Sequence, residues 1–404
     1  MSTGSQGELA RRLGLFDAVT IGLGSMIGAG VFAVFGPAAA AAGSGLLLGL
    51  LIAAVVAYCN AMSSARLAAV HPQSGGTYVY GRERLGEFWG HLAGWGFVVG
   101  KTASCAAMAL TFASYLAPAN PRPFAVAAVV ALTALNYFGV QKSAWVTRAI
   151  VAVTLLVLAT VVITSATRPA ADPGPLHGAG VLQAAGLLFF AFAGYARIAT
   201  LGEEVRDPER TIPRAIPIAL GIALLTYFAV ALAALHTVGA QSLAKSPAPL
   251  VEIAPGLAAL VRAGACVAAL GSLLALILGV SRTTLAMARD HHLPSALAAV
   301  HPRYRVPHRA EIAVGVAVSI LVLTTDLRAA IGFSSFCVLG YYAIANASAL
   351  TLGTRRWIGV VGLVGCVVLA FSLPLPSVLS GACALALGAT IWALRRKWCG
   401  PDHL

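Results

Sequence analysis

Gly22-Leu23-Gly24-Ser25-Met26-Ile27-Gly28-Ala29-Gly30 puts four glycines into nine residues of an otherwise apolar run. In a helix interior each glycine costs up to about 1 kcal/mol relative to alanine. A helix in hydrocarbon must satisfy its own N–H and C=O groups, so a break there has to face a ligand, an ion or other protein. The stretch is therefore read as a discontinuous membrane helix. Its preceding half ends near Met26 and its following half begins near Gly30. The carbonyl ends of the first half would accept from an ammonium, and the N–H groups of the second half would face a carboxylate. The competing reading is close helix packing, for which Gly24 and Gly28 have the small-xxx-small spacing.

A second interruption tips the balance. Phe189-Phe190-Ala191-Phe192-Ala193-Gly194-Tyr195-Ala196-Arg197 breaks an aromatic run with one glycine and one arginine. It falls five apolar runs after the first, and an inverted repeat of five helices would set the two breaks face to face. Paired interrupted segments in corresponding positions are the best sequence pointer to a transporter's binding site.

Composition demands a bilayer. Of 404 residues, 59% are hydrophobic and 10% charged, with a mean hydropathy of +0.86. Soluble domains carry roughly 25% charged residues. Apolar runs of about 20 residues, enough to cross ~30 Å of hydrocarbon, centre near Ile27, Val55, Ser104, Leu132, Leu156, Phe189, Leu224, Leu274, Val318, Leu339, Val364 and Leu385. The fold expected is all-α and integral to the membrane, with about twelve spans. No soluble module interrupts them, so an enzyme is not expected. The connection from Gln241 to Pro255 carries three prolines and is expected to run over the surface.

Charge sets the orientation. With the N-terminus inside, only Arg122, Arg168, Lys245, Arg262 and Arg328 of the 27 basic residues fall outside, while Lys101 and Arg197 lie within apolar runs. This positive-inside bias predicts cytoplasmic N- and C-termini in the cell membrane. The net charge of +13 thus reflects topology and attraction to anionic lipid. Basic residues are dispersed loop by loop without interleaved aromatics, which speaks against a nucleic-acid partner. Six of seven cysteines lie in apolar runs, read as small buried hydrophobes. No histidine pair has a metal-binding spacing, and no metal or cofactor is expected. His91 and His236 are the histidines suited to sensing pH.

Gly24-Ser25-Met26-Ile27-Gly28-Ala29-Gly30-Val31-Phe32 resembles the first-helix signature of the amino acid–polyamine–organocation superfamily. So do Pro72-Gln73-Ser74-Gly75-Gly76-Thr77-Tyr78-Val79-Tyr80, the segment from Gly194-Tyr195 to Glu203-Glu204-Val205-Arg206-Asp207-Pro208, and Ser281-Arg282-Thr283-Thr284-Leu285-Ala286-Met287-Ala288-Arg289-Asp290. These occur in order on a compatible frame of spans. The resemblance implies an amino acid permease working by alternating access, with a first repeat over 15–170, an inverted second over 178–353 and two accessory helices over 354–404. By position, Gly28, Ala29 and Gly30 would bind the substrate carboxylate, flanked by Ile27. The Met26 carbonyl and carbonyls near Phe190, Ala193 and Gly194 would bind its ammonium. Phe190 would cover the side chain.

The charges in the membrane depart from that pattern. A lysine at mid-span costs about 2.5–3.5 kcal/mol or more, and Lys101 lies between Gly100 and Thr102 in the third span. Some family members use a lysine in the fifth span for proton coupling; Thr154 stands at the matching position here. Lys101 is therefore either the coupling residue, a carboxylate contact, or a structural cation on the carbonyls of a broken helix. Thr102 and Ser25 are its companions as coupling or gating residues. Arg197 would pair with Glu203 or Glu204 as an inner gate, repel cations, or reach the cytoplasmic surface. No carboxylate lies near the middle of a span, which disfavours dicationic substrates. The expected activity is proton-coupled symport or exchange of a neutral amino acid. The rivals are polyamine uptake and, in another class, a membrane sensor or channel.

Overall fold

The computed structural model describes residues 13–71, 75–139, 144–199 and 205–399. Its helices in chain order are α1 (Leu15–Met26), α2 (Ala29–Ala33), α3 (Phe35–Ala42), α4 (Leu46–Val70), α5 (Thr77–Leu85), α6 (Glu87–Leu116), α7 (Pro121–Tyr137), α8 (Ala144–Ser165) and α9 (Val181–Phe192). They continue with α10 (Ala196–Ala199), α11 (Pro208–Thr237), α12 (Ala240–Lys245), α13 (Pro249–Ile253), α14 (Ala258–Arg289), α15 (His308–Thr324), α16 (Leu327–Leu350), α17 (Arg356–Ser372) and α18 (Leu375–Cys399). Every one of the twelve apolar centres falls on a helix or on a helix pair flanking a break. Among the described residues, nine helical stretches are long and apolar enough to cross a membrane. The helices α7, α15 and α17, at 17 residues each, sit at the lower limit for spanning.

Both expected interruptions are present. Helix α1 stops at Met26, Ile27 (ψ 58°) and Gly28 (ψ −133°) leave the helical range, and α2 starts at Ala29. Val34 keeps helical angles, so α2 runs on into α3 with only a bend. The sixth span stops at Phe192, tightens into a 3₁₀ turn over Ala193–Tyr195, and resumes as α10.

The two interrupted spans are antiparallel. A backbone bridge joins Leu13, before the first, to Val205, after the second. Another joins Gly43, at the end of the first, to Leu176, before the second. Each span is thus fastened at both ends to the opposite ends of the other, which brings the breaks to one depth.

Packing around this pair comes in matched sets. Helix α1 lies on α11 and α8, while α9 lies on α4 and α16. Helix α6 contacts α16, α14 and α15; α14 contacts α8, α6 and α7; α7 and α15 pack together at the periphery. The core that results is fully buried around Met26, Ile27, Phe32, Phe189, Phe192, Tyr195 and Tyr227.

One connection differs from expectation. The stretch after Gln241 forms α12 and α13, and Leu243, Leu250, Ile253 and Ala254 are buried, so it plugs into the bundle instead of running over it. The prolines limited its helices to short turns, but the aliphatic residues between them supply an apolar face that seeks cover. It sits against α3, and the Leu250 amide donates to the Tyr115 hydroxyl at 3.4 Å. Helix α11 begins at Pro208, a residue suited to the first turn of a helix.

Candidate functional site

The candidate site lies where the two breaks touch. Gly194 lies so close to the first break that a β-carbon built on it would stand 2.2 Å from the Ser25 carbonyl oxygen. One built on Gly30 would stand 2.9 Å from the Ala191 α-carbon. Only glycine permits backbones to approach this closely. The small-residue reading of the first stretch is therefore satisfied together with the broken-helix reading: Gly24 rests on Thr147 and Val151, and Gly28 on the Ser272 hydroxyl.

Bared carbonyls at the breaks are met by side chains from four other spans. Tyr227 of α11 places its hydroxyl 2.7 Å from the Met26 carbonyl and 3.0 Å from that of Ala191, one from each break. Lys101 of α6 donates to the Ala193 carbonyl at 3.2 Å, and the Tyr342 hydroxyl of α16 donates to the same oxygen at 3.4 Å. Ser272 of α14 reaches the Gly24 carbonyl at 3.5 Å. This is how a membrane interior repairs a broken ladder: each of these four acceptors finds a donor.

The amide side of the first break is different in kind. Gly28 caps α2 without any side-chain hydrogen bond. The first N–H groups of a helix have no partner within it, so Ala29 and Gly30 present donors and the positive end of the helix dipole toward the break. Carbonyl acceptors and amide donors are therefore offered within one turn of each other.

The other expected residues divide. Met26, Ile27, Gly28, Ala29, Gly30 and Ala193 are buried together at the junction, and Gly194 is half-buried there. Phe189 packs edge-on to Tyr342 and Phe192 to Tyr227, while Phe190 lies buried beside the same break. Thr102 and Ser25 turn their hydroxyls onto their own helices, to the Val98 and Ile21 carbonyls at 2.7 and 3.0 Å. Thr154 does the same with Ile150. Arg197 is exposed on α10; the expected partners Glu203 and Glu204 lie outside the described residues. Tyr227, Tyr342 and Ser272 were missed in the sequence. Their one signal was a polar atom inside an apolar run, which needs a partner there.

These spans and motifs match known proteins along most of the chain. The family described as "Amino acid permease" matches residues 13–392. The chain is a member of the amino acid permease family. This permease is 67% identical to an uncharacterized transporter of Mycobacterium tuberculosis, over 96% of the chain and 92% of the relative. It is 27% identical to a branched-chain amino acid permease of Bacillus subtilis, over 76% of the chain and 73% of that protein. It is 28% identical to the human cationic amino acid transporter 4, over 86% of the chain and 61% of that protein. An integral membrane fold of this family's type, with interrupted first and sixth spans, agrees with the geometry above.

Proposed function

We propose that this permease carries a neutral amino acid across the cell membrane by alternating access, with the two breaks forming the substrate cradle. The carrying observation is that Met26 and Ala191, one carbonyl from each break, share the Tyr227 hydroxyl. A group that accepts from one donor can exchange it for another, so these oxygens suit a substrate ammonium. The amides of Gly28, Ala29 and Gly30 suit its carboxylate, and Ile27 and Phe190 suit an apolar side chain above them.

Alternating access is supported by the matched packing. Exchanging the first five spans for the next five maps α1 against α11 onto α9 against α4, and α6 against α16 onto α14 against α8. This is the pattern of two inverted repeats, over 15–170 and 178–353, with α17 and α18 as accessories. Rocking of one repeat against the other about a fixed midplane site is the usual consequence. The basic-residue bias supports termini on the cytoplasmic side.

Charge at the junction favours neutral substrates. The Lys101 ammonium touches the sixth-span break, so a second cation on the substrate side chain would meet repulsion there. A branched-chain permease and a cationic transporter both stand among the relatives; the lysine is the reason to prefer the former's class. We assign proton coupling to Lys101, a basic side chain in contact with a break carbonyl. Its loss of a proton would replace a charge-assisted bond to Ala193 by a weaker neutral one and loosen the sixth span. Uptake by purified protein in liposomes, with a panel of labelled amino acids and an imposed pH gradient, tests the whole reading. Saturable uptake of leucine-like substrates, enhanced by an inward proton gradient, is expected. Preferential uptake of arginine or putrescine, or a non-saturating ion current, would overturn it.

A further inference from the structure

Helices α7 and α15 meet at the edge of the bundle, away from the breaks. A β-carbon built on Gly315 would stand 2.6 Å from the Thr133 hydroxyl oxygen, so the seam closes at a distance that glycine permits. Along its exposed side runs a groove of about 460 Å³, floored by small residues such as Ala134 and Gly315. Its walls are Val130 and Phe138 of α7 and Ile312, Val316, Ile320 and Leu323 of α15, each about half exposed. At 1.5 Å per residue, Ile312 to Leu323 covers about 16 Å. That is close to the depth of one leaflet in a hydrocarbon core of ~30 Å.

One end of the groove is basic. Phe138 packs edge-on to Tyr304 with ring centroids 5.6 Å apart, and Tyr137, also on the groove, meets Tyr304 and His308. The Arg303 guanidinium lies over the Tyr304 ring at 5.5 Å. The loop that carries both is tied down: His301 Nδ1 accepts from the amides of Arg303 and Tyr304 at 3.2 Å each, and the His301 amide donates to the Val306 carbonyl at 2.9 Å. Arg309 comes three residues before Ile312, so it lies on the same face of α15 as the groove wall. Arg303, Arg305 and Arg309 are all exposed, and none pairs with a carboxylate among the described residues. The chain has no acid between Asp290 and Glu311, and Glu311 is fully buried.

We propose that this groove and the arginines at its end bind one anionic phospholipid, with an acyl chain along the α7–α15 seam and the phosphate held by Arg303 and Arg309. Convex helix surface accepts any lipid; here a concave track for a chain leads to uncompensated guanidinium groups, whose fork matches a phosphate. Tyr137 and Tyr304 stand at the join between apolar chain and polar head, where aromatic residues suit a membrane interface. Charge selects the occupant. A zwitterionic headgroup brings its own cation to the arginines, and a second copy of this chain in the same bilayer would set its arginines at the same depth. Both helices have 17 residues, the short limit for a span. A short span thins the bilayer beside it, which brings headgroups to the level of Arg309. The basic-residue bias supports the cytoplasmic leaflet as the source. The site does not depend on which substrate is carried.

Native mass spectrometry of the delipidated full chain in detergent tests the site, with phosphatidylglycerol and phosphatidylcholine of identical acyl chains as probes. At equal concentrations the first phosphatidylglycerol adduct should exceed the phosphatidylcholine adduct at least fivefold. In the double variant Arg303→Gln, Arg309→Gln the two adducts should become equal. Ala134→Phe, which fills the groove floor and leaves the arginines, should cut phosphatidylglycerol binding at least fivefold. All three substitutions fall on exposed positions. A phosphatidylglycerol with a diazirine on its acyl chain locates the site in the native protein, where label should concentrate on peptides covering 130–138 and 312–323. Equal adducts of the two lipids, an undiminished preference in the arginine variant, or undiminished binding in Ala134→Phe would each overturn the proposal. So would label spread evenly over the spans, or a dimer of the chain forming in place of the lipid adduct.

Discussion

The α-carbon of Gly194 rests on the carbonyl of Ser25, with no room for a methyl group between the sixth span and the first. Two chain breaks separated by well over a hundred residues are held at backbone contact. Gly194→Ala should therefore force the spans apart at the site itself. Overpacking of this kind costs about 1–3 kcal/mol. Uptake should fall below a tenth of the native rate, with a thermal midpoint a few degrees lower. Native uptake in this variant would contradict the contact.

Tyr227→Phe tests the bridge between the breaks. It keeps the ring against Phe192 and removes only the hydroxyl shared by the Met26 and Ala191 carbonyls. A buried carbonyl left without its donor costs about 1–3 kcal/mol, or roughly 5- to 150-fold in an equilibrium. Maximal uptake velocity should drop by about tenfold or more while folded protein is still recovered. Equal kinetics in the two proteins would show that the hydroxyl is idle.

Lys101 separates coupling from scaffolding. Lys101→Gln can still donate a hydrogen bond toward the Ala193 carbonyl but cannot carry a proton across the cycle. If Lys101 couples, this variant should exchange amino acids down their own gradient yet show no stimulation by a proton gradient. Full proton-driven accumulation by Lys101→Gln would reduce the lysine to a structural cation. Lys101→Ala, which also leaves the Ala193 carbonyl with Tyr342 as its side-chain donor, should be worse in both assays.

Substrate range follows from the same ammonium. With Lys101 in place, leucine-like competitors should inhibit labelled uptake at least tenfold more strongly than lysine or arginine. Lys101→Gln should narrow that gap, because the repulsion is removed. Stronger inhibition by arginine in the native protein would refute the electrostatic basis of the preference.

Much of this was legible along the chain. Hydropathy placed every span centre on a helix, and the glycines around Gly28 and the Gly194 interruption marked both breaks, because burial in lipid and helix-breaking are local properties of a few adjacent residues. The segment after Gln241 was misread because its prolines were visible and the surface that covers Leu250 and Ile253 was not. The tyrosines at the site were passed over for a related reason: an aromatic inside an apolar run reads as bulk until its hydroxyl has a partner.

By itself, the order of residues determined that the chain lives in a bilayer and where two helices fail. Three-dimensional packing alone decided what fills those failures: Lys101 on Ala193, and Tyr227 between Met26 and Ala191. The reason is physical. A missing backbone hydrogen bond announces itself in the neighbouring residues, but the donor that replaces it comes from 36 to 248 residues away. Which donor that is depends on how antiparallel spans pair.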